Sequence, residues 1–114
     1  MKIEKSSNIA RSPVEMEGAK DVEIRWLISK DDGAENFAMR MFELQPGGHT
    51  PLHTHPQEHE VFVLEGCGAF VYEGREYPFG PEHVIFVPPN KEHCFKNTGD
   101  SLMRMLCIIP TSDG

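Results

Sequence analysis

The chain lacks the spacing of a helix. Nowhere in its 114 residues do apolar side chains recur at three and four residues over a helical length. It lacks paired cysteines as well. Cys67, Cys94 and Cys107 are odd in number and form no C-x-x-C, so free thiols in a reducing compartment are expected. Basic residues are few: 11 Lys and Arg face 18 Asp and Glu, a formal net charge of −7. Without a basic patch or basic helix, neither nucleic acid nor an anionic membrane is expected as a partner. No apolar run approaches membrane-spanning length, and none follows the opening Met1-Lys2-Ile3-Glu4-Lys5, so no signal peptide and a cytoplasmic location are expected. A chain of this length forms one domain with its own core.

What is present is alternation. Val22, Ile24, Trp26 and Ile28 share one face of an extended segment, and Glu23 and Arg25 the other. Residues 37–44 form a second strand, which Pro46-Gly47-Gly48 is expected to end. Further short strands follow over 60–65, 69–72, 75–77, 83–87, 93–97 and 102–109, separated by Gly, Pro and Asn turns. The 60–65 strand is apolar on both faces, which suggests cover on both sides. The fold class is therefore all-β, a sandwich or a barrel. Residues 1–20 are polar and aperiodic and read as an arm packing on the barrel or on a partner subunit; residues 21–114 are the barrel.

The chemistry concentrates between Gly47 and Gly66. His53 and His55 are two apart, so on an extended chain both rings face the same way and offer a bidentate clamp. Pro56 interrupts the ladder and lets the chain return His59 toward the same centre. A fourth candidate, His93, lies well downstream. All six histidines fall between positions 49 and 93, which argues against a chance scatter of surface residues.

The pattern Gly47-x5-His53-x-His55-x3-His59-x6-Gly66 resembles the first motif of the cupin family. Pro88-x-Asn90-x2-His93-x3-Asn97 resembles the second, about twenty residues on. The resemblance implies a single-domain jelly-roll β-barrel with one metal ion on His53, His55, His59 and His93. It departs from the motif in two places. The usual glutamate position holds His59, with Glu60 next to it. Counting back from Gly66 selects His59, whereas four residues of separation from His55 would select Glu60. Asn90 replaces a motif glycine, and asparagine tolerates a left-handed backbone. Small cupins with four histidine ligands have much this sequence, and the resemblance implies manganese or iron. Imidazole softness leaves zinc, nickel and copper open.

Four neutral imidazoles leave the full charge of the ion in place, so anionic oxygen ligands are favoured. Two positions of an octahedral ion would remain for substrate. Arg40, Met105 and Cys107 are pocket-lining candidates. Arg40 shares parity with Ala38, Phe42 and Leu44. Either it is a buried cation by the cavity, or it snorkels to the rim and pairs with a glutamate. Cys107 and Met105 either border the cavity or are simply buried. The family resemblance implies a dioxygenase-like enzyme acting on a small unsaturated or enolisable molecule. An isomerase or lyase and a non-catalytic binding or sensing module are the alternatives. A homodimer is expected from the arm and the doubly apolar strand.

Overall fold

The computed structural model describes residues 1–111 and contains nine strands: β1 Arg11–Pro13, β2 Lys20–Ile28, β3 Phe37–His49, β4 His59–Glu65, β5 Gly68–Tyr72, β6 Arg75–Phe79, β7 Val84–Val87, β8 His93–Asn97 and β9 Met103–Pro110. Two single 3₁₀ turns, Ser6–Asn8 and Lys30–Asp32, are its helical elements among the described residues. None of these is long and apolar enough to cross a membrane.

The strands hydrogen-bond in the order β6-β5-β8-β3-β9-β4-β7, with β2 on β3 and β1 on β2. This curled antiparallel sheet is the jelly-roll barrel. Inside it Leu44, Val61, Val63, Phe70, Phe95, Met103 and Met105 close the core. On β9 the alternation is complete, with Met103, Met105, Cys107 and Ile109 buried and the residues between them half-exposed.

Two local expectations change. The first concerns Pro46-Gly47-Gly48, which does not end the second strand. β3 runs on to His49, where it leaves β9 and meets Lys96 of β8 and Lys20 of β2. The dipeptide makes the bend rather than the stop. Gly47 takes φ +80°, and a Cβ on Gly48 would lie 2.7 Å from the carbonyl oxygen of Asp21. The second concerns β2, whose register shifts between Trp26 and Ile28. Past that bulge Leu27 is buried and Ile28 exposed, the reverse of the simple alternation.

Residues 1–20 include a short strand. β1 pairs with β2, and Val14 packs against the core. Residues including Ile3 and Ile9 lie beside Leu27 and Met39 on the outer face of the sheet.

Candidate metal centre

β8 and the segment after β3 bring the two halves of the site together. His53 and His93 exchange backbone hydrogen bonds, His53 N to His93 O at 3.2 Å and His93 N to His53 O at 3.1 Å. Thr50 ties the same segment to Phe95: its N–H donates to the Phe95 carbonyl at 2.9 Å, and its Oγ1 accepts the Phe95 N–H at 2.8 Å. The carbonyl of His55 accepts the Asn90 N–H at 2.8 Å. Asn90 has φ +64°, the left-handed conformation its motif position requires. Gly66, with φ +85°, would place a Cβ 2.6 Å from the Cα of Met103, so this position excludes any side chain.

The four histidine rings gather at one place. Centroids are 5.0 Å apart for His53–His55, 5.3 Å for His53–His93 and 4.9 Å for His55–His93. His59 stacks on His55 at 4.3 Å and stands 6.1 Å from His93. Ligand atoms of His53, His55 and His93 all lie within 4.8 Å of one another, so these three could hold a metal ion.

Each of the three has its tautomer set from behind. Nδ1 of His53 lies 2.7 Å from the Pro51 carbonyl, that of His55 2.8 Å from Gln57, and that of His93 2.8 Å from Lys91. A carbonyl only accepts, so each Nδ1 carries the proton and each Nε2 keeps its lone pair. That is the state a metal needs, and the residues present fit such an ion.

His59 is held differently. Its Nδ1 lies 3.5 Å from Sγ of Cys107, on the buried face of β9. Cys107 Sγ also accepts a hydrogen bond from Nη2 of Arg40 at 3.0 Å. Burial first, then the cation of Arg40, then the other histidines, push His59 down to about 3. Burial also lowers His93, partly opposed by its bond to Lys91. Both rings are thus neutral at ordinary pH, as ligation requires. Cys107 is raised, chiefly by burial.

Three of the four histidines, His53, His59 and His93, border a cavity of about 90 Å³ whose lining also includes Arg40, Phe42, Met105 and Cys107. Arg40, Met105 and Cys107 therefore all reach it. Of the two readings of Arg40, the structure keeps parts of both: the side chain is half-buried and lines the cavity, but it does not pair with a glutamate. Its guanidinium lies 4.9 Å over the ring of Phe42 and 5.6 Å over that of the partly exposed Trp26, and no described glutamate pairs with it. Two aromatic faces and a sulfur hold it where a rim carboxylate was expected.

Glu60, the rival for the third motif position, points the other way. It lines the outer groove with Phe62 and Phe86, so the count from Gly66 picks the inward residue. His49 and His83 do not line the cavity. Val14 and Met16 do, and sequence reasoning missed them because nothing local ties residues 14–16 to a site formed by residues 40–107.

Fold and site together define a class: a small jelly-roll barrel with a histidine cluster able to hold a metal ion at one cavity. The chain belongs to the cupin family, residues 40–109 matching the cupin domain. It is 33% identical over 99 residues to the oxalate-binding protein of Thermotoga maritima, covering 82% of this chain and 80% of that one. To the 1-methylthio-D-xylulose 5-phosphate methylsulfurylase of Rhodospirillum rubrum it is 30% identical over 71 residues, spanning 62% of this chain and less than half, 46%, of that protein. Among solved structures, the polyketide cyclase RemF of Streptomyces resistomycificus superposes with a TM-score of 0.92 at 36% identity, covering 97% of this chain and 80% of RemF.

Proposed function

We propose that the protein is a metal-dependent enzyme that binds a small dioxo compound through two oxygens and favours its enolate. The observation that carries this is the set of three clustered histidines, each protonated at Nδ1 by its carbonyl partner, of which His53 and His93 line a cavity that no carboxylate lines. His53, His55 and His93 would hold the ion, with His59 as fourth ligand, and manganese or iron is the identity we favour. When bound, the ion supplies Lewis-acid polarisation of a ligand oxygen at a site that cancels none of its charge.

The chain's own residues do the rest. Phe42, Met105 and Phe95 give the cavity apolar walls that exclude water and strengthen every charge interaction inside. Met16, 56% exposed, stands where the cavity meets solvent. The likeness to RemF over nearly the whole chain supports a non-oxidative outcome, carbon–carbon bond formation or proton shift. The oxygenative outcome expected from the sequence would cleave the enol C=C, both atoms of O2 ending as carbonyl oxygens, with no external reductant.

One experiment separates them. Protein loaded in turn with manganese, iron and zinc is given small 1,2- and 1,3-dioxo compounds, with oxygen uptake and substrate loss recorded together. We expect substrate loss, or exchange of its α-protons with D2O, without oxygen uptake. Uptake matched to substrate loss would restore the dioxygenase reading. No binding with any metal would overturn both.

We also propose a homodimer formed across the outer face of β4, β7 and β9. The other half of that face is lined by the chain's own first residues, with Ile3 and Ile9 beside Leu27 and Met39. The β4–β7–β9 half instead presents Phe62, Val84 and Phe86 at 40%, 76% and 55%, with Leu106 and Ile108 beside them. Glu60 is the one charged residue lining this otherwise apolar strip, in a chain of net charge −7, and β7 offers a sheet edge to continue it. Sedimentation should give a dimer for the wild type and a monomer for Val84→Lys with Phe86→Lys; a monomeric wild type refutes it.

A further inference from the structure

Arg40 is a cation in a place that gives it nothing to neutralise it. Its guanidinium lies over Phe42 and Trp26, and Nη2 donates to Cys107 Sγ, a weak acceptor. Its Nε is buried and has no hydrogen-bond partner. None of the ion pairs among the described residues includes it. Arg40 is half-buried, and aromatic faces recover only part of what its enclosed atoms lose on leaving water. A purely structural side chain here would be better served by a methionine or leucine of the same volume.

Position turns that deficit into a use. Arg40 lines the same cavity as His53, His59 and His93, separated from His59 by the single sulfur of Cys107. The cavity thus has two positive poles when a metal is bound, one at the histidines and one at the guanidinium, between apolar walls. At about 90 Å³ it is well below the volumes usual for drug-sized ligands, so the part of a ligand it takes is compact.

We propose that Arg40 is the anion anchor and the specificity-determining residue of this site, and that its ligand is a 2-oxo carboxylate or its enol form. The carboxylate would sit on the guanidinium while the neighbouring oxo oxygen faces the three histidines. A guanidinium and a carboxylate match in shape and charge, and their hydrogen bonds are about twice as strong as neutral ones. The inference rests on the metal-centred reading above and narrows it from dioxo compounds in general to those with one anionic end.

The test uses a pair of probes of nearly the same shape, pyruvate and 2,3-butanedione. They are titrated calorimetrically into manganese-loaded wild type, Arg40→Met and Arg40→Lys, with metal content measured for each. Wild type should prefer pyruvate by about tenfold to a hundredfold, the usual worth of hydrogen bonds to a charged group. Arg40→Met should bring the ratio to within about threefold at unchanged metal content, and Arg40→Lys should recover part of it. Should Arg40→Met fail to fold, Arg40→Gln takes its place with the same expected loss. A preference that survives removal of the charge overturns the anchor. Wild type that binds the diketone as well as the carboxylate overturns it too, and leaves the metal-centred reading standing. Loaded wild type that binds neither probe overturns both.

Discussion

Arg40 and Glu43 stand three residues apart on β3 and so on opposite faces of the same sheet. Outward, Glu43 is 5% exposed and sits among three arginines: Arg104 Nε at 3.2 Å, Arg25 Nε at 3.3 Å and Arg11 Nη1 at 3.7 Å. Arg11 also meets Glu23 at 3.5 Å, and Arg104 meets Glu65 at 3.6 Å. Three cations and three carboxylates therefore balance on the outer face. Inward, Arg40 has no such partner. A charge network that closes on itself serves the fold; a half-buried charge left without an ion-pair partner beside a cavity is arranged for a ligand.

The sharpest way to break the contrast is at Glu43. Glu43→Ala leaves Arg25 and Arg104 facing each other without their shared carboxylate. We expect a loss of about 3 kcal/mol in urea unfolding, the low end for breaking a buried pair because Arg11 is exposed. Metal content of the folded fraction should not change. On the inner face the matching test is His93→Ala. Its ring is buried and Nδ1 is fixed by Lys91, so metal affinity measured by calorimetry should fall more than about a hundredfold, beyond what partners behind a ligand cost.

Protons sharpen the difference next. His59 falls to about 3 and His93 is lowered, both chiefly by burial. Between about 3 and the ordinary value of 6.5 the unfolded chain therefore binds more protons than the folded one. The stability of metal-free protein should be flat above pH 6.5 and fall as pH drops toward 3. His59→Phe should flatten part of that slope. Urea midpoints measured across the range without metal would check it, and an unchanged slope would mean that His59 is not buried neutral.

Much of this was legible in the residues. Alternation gave β9 to within a residue, and the spacing to Gly66 chose His59 over Glu60, whose side chain lies in the outer groove. Other features depended on register between distant strands. The Glu43 network needs Glu43 opposite both Arg104 and Glu23, and no local pattern carries that pairing. Arg40 was read two ways because a sequence does not say whether aromatic rings will hold a cation inside. Pro46-Gly47-Gly48 looked like a terminator because Pro and Gly mark bends and ends alike. The doubly apolar β4 was expected to be covered on both sides, yet within one chain its outer residues Phe62 and Leu64 remain exposed.

A smaller effect separates the third and fourth motif neighbours. His59→Ala should weaken metal retention after dialysis, whereas Glu60→Ala, on the outer face, should largely spare it. Reversal would mean that the site closes on the carboxylate, contrary to the inward placement of the imidazole.

The smallest expected change is the most telling for the two charges of β3. Replacing Arg40 with methionine removes a guanidinium that lacks a carboxylate partner and leaves an apolar chain of similar length between Phe42 and Trp26. The lost cation–π contacts, on the order of 1–2 kcal/mol, and the recovered desolvation cost, reduced because the side chain is only half-buried, oppose each other. Unfolding stability of the ligand-free protein should therefore shift by less than about 1 kcal/mol in either direction, against the several-fold larger loss at Glu43. A loss at Arg40 as large as that at Glu43 would show that both arginine environments serve the fold, and the distinction between the two faces of β3 would disappear. A near-zero shift leaves the retention of so poorly paired a charge to be explained by something other than stability, and the cavity it lines is the structure's own answer.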